Sequence, residues 1–140
     1  GSTNVIHLHG ELMKVCSSRE PYNEAYVETL TSENVNVKIG DLAADGSQKR
    51  PFIVWFGEAV SKIEDAILAL RGIDAFVIIG TSLNVYPAAG LLNYVPYGVP
   101  VYLIDPNEVQ VNGVRDVVHI RRGASEGMRY LIDSFLGEGK

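Results

Sequence analysis

The sequence predicts an α/β fold with a parallel sheet and flanking helices. Two observations carry that expectation. From residue 51 onward, short apolar runs sized for strands alternate with stretches of helical character. That order implies right-handed β-α-β units, which bury parallel strands under helices.

The elements follow in chain order. Val5-Ile6-His7-Leu8 reads as a short strand ended by Gly10. Residues 11 to 34 are mostly polar and lack a clear period, and Ser17-Ser18-Arg19-Glu20-Pro21 marks a loop start. Asn34 to Lys38 alternates polar and β-branched residues, as a surface strand would. Asp41 to Arg50 is loop-like. Phe52-Ile53-Val54-Trp55-Phe56 is a continuous apolar run between Pro51 and Gly57, the pattern of a strand buried on both faces. Val60, Ile63, Ile67 and Leu70 then recur at helical spacing, and Gly72 can close the helix. Ala75 to Ile79 is a second buried strand, ended by Gly80. Pro87 to Asn93 predicts a helix with proline in its first turn. Val101 to Ile104 and Val117 to Ile120 are two more strands. Ala124 to Leu136 predicts an amphipathic helix with Met128, Leu131, Ile132 and Phe135 on one face.

Composition narrows the function. The 140 residues carry a net charge of -5 with no basic stripe, so no nucleic-acid or anionic-membrane partner is expected. No apolar run approaches the roughly 20 residues of a membrane span. A single cysteine, Cys16, excludes an internal disulfide and agrees with a reducing compartment, so a cytoplasmic location is expected. One cysteine also cannot build a four-cysteine zinc site.

In open parallel sheets, ligands sit beyond the carboxyl ends of the strands. Those ends are Phe56-Gly57-Glu58, Gly80-Thr81-Ser82, Asp105-Pro106-Asn107 and Arg121 to Ala124. At Gly80-Thr81-Ser82, a glycine admits a ligand to the backbone and two hydroxyls can bond phosphate or ribose. The tripeptide reads equally well as a tight turn with a serine cap. No GxGxxG pattern occurs. His9, at a strand end, can serve as a general base or as a hydrogen-bonded structural residue. His7 and His9 alternate and so face opposite sides. A metal site of His7, His9 and Cys16 lacks a fourth ligand at useful spacing. His119, inside a predicted strand, reads as structural. Glu58 reads either as a functional carboxylate or as a first-turn helix charge. Cys16 has no neighbouring base and is not proposed as a nucleophile.

Read in order, three segments resemble the sirtuin family. The His9-Gly10 pair is similar to the family's catalytic HG. Arg50 to Glu58 resembles its RPxxVxFGE segment. Gly80 to Ala89 resembles its GTSLxVxPAA segment nearly residue for residue. The resemblance runs from about residue 5 to 136, and three motifs in order are far more specific than one. It implies the second half of a Rossmann-like NAD-binding domain, in residues 1–10 and 50–140, with a degenerate, metal-free small module in residues 11–49. It implies an NAD-dependent protein lysine deacylase. His9 would activate a ribose hydroxyl of NAD. Val54 would receive the acyl-lysine amide through its backbone carbonyl, and Phe56 would line the acyl-lysine channel. Gly57 and Glu58, with Val85, would hold the substrate peptide as an added strand. Gly80, Thr81 and Ser82 would contact NAD ribose and phosphate. Asp105 would meet the adenosine ribose, and Gly123 and Ala124 would cover the adenine.

Two departures bear on these expectations. The family's N-terminal half, with its glycine-rich pyrophosphate segment, is not in this chain, so the chain reads as a piece of a longer protein. By itself it is expected to be inactive, and to self-associate through an exposed sheet edge. Three of the four zinc cysteines are missing, so zinc is not expected. Three other readings stay open: an NAD or ADP-ribose-binding module, a sirtuin relative that transfers ADP-ribose or cleaves NAD, and a structural or interaction role in which the strand edge recruits partners.

Overall fold

In a computed structural model, residues 2–81, 83–111 and 116–136 are described. The chain forms two compact units, residues 1–64 and 65–140.

The first unit is built on an antiparallel sheet of three strands: β1 (Gly10–Ser17), β2 (Glu28–Thr29) and β3 (Lys49–Ile53), in the order β2-β1-β3. β1 is central. It pairs with β3 from Gly10↔Ile53 to Ser17↔Lys49, with a register shift between Glu11 and Val15. The shift throws Leu12 and Met13 out to solvent and buries Val15, Cys16 and Ser17. β3 is an edge strand, which is where Pro51 with its missing N–H can sit. A single 3₁₀ turn at Glu24–Tyr26 precedes β2, capped by the Asn23 side chain.

Several expectations are corrected here. Val5 to Leu8 is not a strand. The Gly10 amide bonds back to the His7 carbonyl at 3.2 Å, and that turn delivers the chain into β1, which begins at Gly10. The segment after residue 10, read as aperiodic loop, holds β1, because the register shift breaks the alternation that would have revealed it. Asn34 to Lys38 is unpaired, lying between a Thr31–Asn34 turn and a turn closed by Asp41 onto the Lys38 amide. The run from Phe52 to Phe56 is not a doubly buried parallel strand. β3 ends at Ile53, and Trp55 and Phe56 are 51% and 98% exposed. The alternating parallel pattern therefore starts later than residue 51.

The second unit is the parallel part. Helix α1 (Ile63–Ala69) straddles the division in sequence and is followed by Gly72 at φ +73°. Strands β4 (Phe76–Ile79), β5 (Val101–Ile104) and β6 (Val117–Ile120) form a parallel sheet in that order, with Phe76↔Val101 and Val101↔Val117 in register. This bears out the α/β class and three of the predicted strands. All four residues of β5 are buried, and they alternate between two apolar clusters. Val101 and Leu103 pack with Leu70, Ile78, Leu92 and Val95. Tyr102 and Ile104 pack with Ile120 and Leu131.

The stretch predicted as a helix after Pro87 is a 3₁₀ helix, Ala88–Tyr94. Helix α2 (Ala124–Leu131) is followed by one π turn, Ile132–Leu136. Its predicted apolar face holds at Leu131 and Met128. It fails at Ile132, which is 49% exposed where the helix changes pitch; the side chain of Phe135 is outside the described residues. Gly127 sets how closely α2 approaches β5: a Cβ there would lie 2.3 Å from Ile104 Cγ2.

Candidate functional site

The described side chains of interest fall into two groups, one in each unit. In the first unit, His9 stands exposed immediately before β1. Its carbonyl accepts the Val54 amide at 3.0 Å, extending the β1–β3 ladder by one step. Gly10 makes this possible. It sits at φ +90°, and a Cβ there would lie 2.1 Å from the Phe52 carbonyl oxygen, inside any real contact. The histidine and the end of β3 are thus joined by backbone with nothing between them.

Beyond Val54 the chain turns sharply. The Glu58 amide donates to the Trp55 carbonyl at 3.0 Å, and Gly57 takes φ +91°, as the third residue of such a turn requires. Phe56, second in the turn, is pushed into solvent. Glu58 folds back under the turn. Its Oε1 meets Arg50 Nη1 at 2.7 Å, and its Oε2 accepts from Arg50 Nη2 at 2.9 Å and from the Trp55 amide at 3.0 Å. The Arg50 guanidinium also lies 5.0 Å from the centre of the Trp55 ring. The Arg50 hydrogen bonds, then the Trp55 amide, hold the Glu58 carboxyl below the usual carboxylate range. Arg50 Nε is buried without a hydrogen-bond partner, so the arginine is held end-on by its two terminal nitrogens.

Around the end of β1 lies a second polar knot. The buried Ser17 hydroxyl donates to Asp45 Oδ2 at 2.7 Å, lies 2.8 Å from Ser47 Oγ, and accepts the Arg19 and Glu20 amides at 3.0 and 2.9 Å. Asp45 Oδ1 accepts both the amide and the hydroxyl of Ser47. The Ser17 hydroxyl, then the Ser47 amide, hold the Asp45 carboxyl down to about 2. Cys16 is buried with its Sγ 3.8 Å from the Pro51 carbonyl, and burial pushes the thiol up. A structural zinc needs four converging donors. Here one thiol points at a backbone carbonyl, and among the described residues no three His, Cys, Asp or Glu side chains converge on a metal position. The residues present do not fit that group, and no set of His7, His9 and Cys16 forms. His7 instead lies 3.8 Å from Glu11.

In the second unit, the candidate residues collect at the carboxyl ends of the parallel strands. Gly80 follows β4 at φ +62°, its amide bonded to the Ile104 carbonyl at 3.1 Å. Thr81 Oγ1 accepts the Leu83 amide at 3.2 Å, and Leu83 takes the unusual φ of +57°. Ser82 lies outside the described residues. Val85 is partly exposed, and its carbonyl starts the Ala88–Tyr94 helix through the Ala89 amide. Asp105 follows β5; its Oδ1 accepts the Asn107 amide at 2.8 Å, and its carbonyl lies 3.1 Å from His119 Nε2. His119 therefore has a structural partner, as expected. Gly123 caps α2 after β6 with no side-chain bond to the helix amides, and Ala124 opens the helix. Gly80, Thr81, Asp105, Gly123 and Ala124 thus share one end of one sheet, where open α/β sheets bind ligands.

Sequence reasoning gave Arg50 and Asp45 no role. The signals were present: opposite charges flank the apolar run from Pro51 to Gly57, and Asp45-Gly46-Ser47 is a turn sequence with its own side-chain acceptor.

Comparison with known proteins shows the family and the fold. The Sir2 family profile matches residues 1–87. The NAD-dependent protein deacylase of Bacteroides thetaiotaomicron is 60% identical over 131 residues, covering 94% of this chain and 56% of that protein. The NAD-dependent protein deacylase of Helicobacter pylori (strain 26695) is 39% identical over 136 residues, covering 97% and 57%. A Sir2 homologue solved as an NAD complex superposes with a TM-score of 0.74 at 32% identity, covering 95% of this chain and 51% of that one. Sir2Tm bound to a propionylated peptide gives 0.72 at 26%, covering 95% and 56%. The chain spans a little over half the length of the curated relatives it matches.

Proposed function

The chain belongs to the Sir2 family, and on that premise we propose that the protein carrying it is an NAD-dependent protein lysine deacylase. The observation that carries the reading is the backbone bond between His9 and Val54. The bond joins the backbone of a general-base candidate, just before β1, to that of the residue proposed to receive the acyl-lysine amide, just after β3. A reaction between two bound substrates gains most of its rate from such fixed geometry.

In this reading, His9 takes a proton from a ribose hydroxyl of bound NAD. NAD would supply the acceptor: nicotinamide leaves, the acyl oxygen bonds the ribose carbon it vacates, and one water breaks the bond to the lysine nitrogen, leaving the acyl group on ADP-ribose and a free lysine amine. Val54 accepts the acyl-lysine N–H on its carbonyl, and Phe56 lines the acyl channel. Gly57 and Glu58, with Val85, add the peptide as a strand. Gly80, Thr81 and Ser82 hold ribose and phosphate, Asp105 accepts from the adenosine ribose, and Gly123 and Ala124 cover the adenine. Residues 1–10 and 50–140 are the NAD-domain portion, and residues 11–49 a small module that works without zinc. The test is nicotinamide release by the complete gene product with an acetyl-lysine peptide. Release that requires peptide, and falls by about a hundredfold or more in His9→Ala, is expected; release indifferent to His9 sinks the reading.

A second reading draws on the second unit alone. Five candidate residues at one sheet end would let residues 1–140 bind ADP-ribose without catalysis. Saturation-transfer NMR with ADP-ribose tests it.

A further inference from the structure

The carboxylate of Glu58 is turned inward onto groups of its own unit. Both its oxygens are engaged by Arg50, and the second also holds the Trp55 amide. Each of these partners belongs to the turn or to the surface on which it rests. Arg50 is only 12% exposed at its side chain and lies in β3, which Val54 follows directly. Trp55 opens the turn and lies over the Arg50 guanidinium. Gly57 supplies the positive φ that lets Glu58 come back beneath it. Two-pronged arginine–carboxylate pairing fixes orientation as well as distance, which a single surface ion pair does not.

We propose that Arg50 and Glu58 form an internal clasp that holds the Trp55–Glu58 turn in its peptide-receiving shape, so that Glu58 serves the substrate through its backbone and is by its side chain a positioning residue. The proposal rests on the deacylase reading above. Without the clasp, Phe56 has no support from packing, since it is almost wholly exposed, and the turn beyond Val54 is left with the Trp55 ring on Arg50 as its remaining side-chain contact with β3 among the described residues.

The experiment is made on the complete gene product with Glu58→Gln, Arg50→Lys and the double variant. Glu58→Gln keeps an acceptor for the Trp55 amide but loses the charge-assisted pair, and Arg50→Lys keeps the charge but loses the fork. Each single variant is expected to raise the peptide KM about tenfold, and far more than it lowers kcat, with the NAD KM within about twofold. The double variant should be no worse than the worse single, since the two act as one unit. Fluorine NMR of protein grown with fluorotryptophan gives a reading that needs no activity. The Trp55 signal, assigned by its loss in Trp55→Phe, should shift in both singles. If either variant does not fold, the other yields the same readings. A Trp55 signal that stays in place, or an unchanged peptide KM in an active enzyme, overturns the clasp while the deacylase reading stands. A shifted Trp55 signal in a protein whose wild type never turns over NAD with peptide sinks the deacylase reading, and the substrate-positioning role with it.

Discussion

The two units of this chain are held by different forces. In the second, ten buried apolar side chains in two clusters sandwich β5, and each strand contributes to them. In the first, the buried apolar set shrinks to Val15, Cys16 and Ala43, and polar links connect distant parts of the chain. Ser17, Asp45 and Ser47 knot the end of β1 to the turn before β3. Lys49 reaches Glu28 on β2 at 2.6 Å, and Arg50 clasps Glu58. Apolar packing is nondirectional and tolerant of approximate geometry. Hydrogen-bonded carboxylates fix direction but depend on protonation. The unit that carries His9 and the proposed peptide-binding turn is therefore the one built for orientation, and the parallel unit is the one built for stability.

Three measurements break or sharpen this contrast. The largest effect belongs to the packed unit. Leu103 is 0% exposed, and Leu103→Ala should cost about 2–5 kcal/mol by urea unfolding, with no change in the pH dependence of the midpoint. A smaller loss is expected at the polar knot. Ser17→Ala leaves two amides and the acceptors on Asp45 and Ser47 short of a partner, for about 1–3 kcal/mol, and Ser17→Cys should not restore it. The smallest effect is a slope. The folded pKa of Asp45 is depressed to about 2, so its contribution is fully present above about pH 4, the ordinary carboxylate value, and is lost as pH falls toward 2. Glu58 is depressed too and acts in the same direction. Asp45→Asn should flatten the acid limb of the unfolding midpoint between those values. An acid limb unchanged by that substitution would remove the basis for calling the first unit polar-held.

The same contrast explains what the sequence disclosed. β5 is a short apolar run between turn residues, and its bounds are readable because burial on both faces leaves an unbroken apolar signature; β6, with Val118 exposed and His119 in the run, is readable from its β-branched residues. β1 is invisible by the same logic. Its pairing shifts between Glu11 and Val15, so apolar and polar residues fall out of alternation, and its main tie beyond the ladder is a serine. Trp55 and Phe56 misled in the opposite direction: aromatic residues beside a strand suggest core, yet Gly57 bends the chain so that both emerge. Of the candidate site, the positions of Gly80, Asp105 and Gly123 at the ends of parallel strands were legible because the apolar runs before them mark those ends. The Arg50–Glu58 pair was not, because the partners stand eight positions apart along strand and turn and only the fold brings them together.

Gly10 gives the first unit a mechanical stop. The backbone of β1 rests so closely on Phe52 and Ile53 that the absent side chain is itself the working part, like a shim of zero thickness. Such a joint has no slack to distribute: the offset between His9 and Val54 is set by the van der Waals radii of main-chain atoms, the least adjustable dimension a protein has.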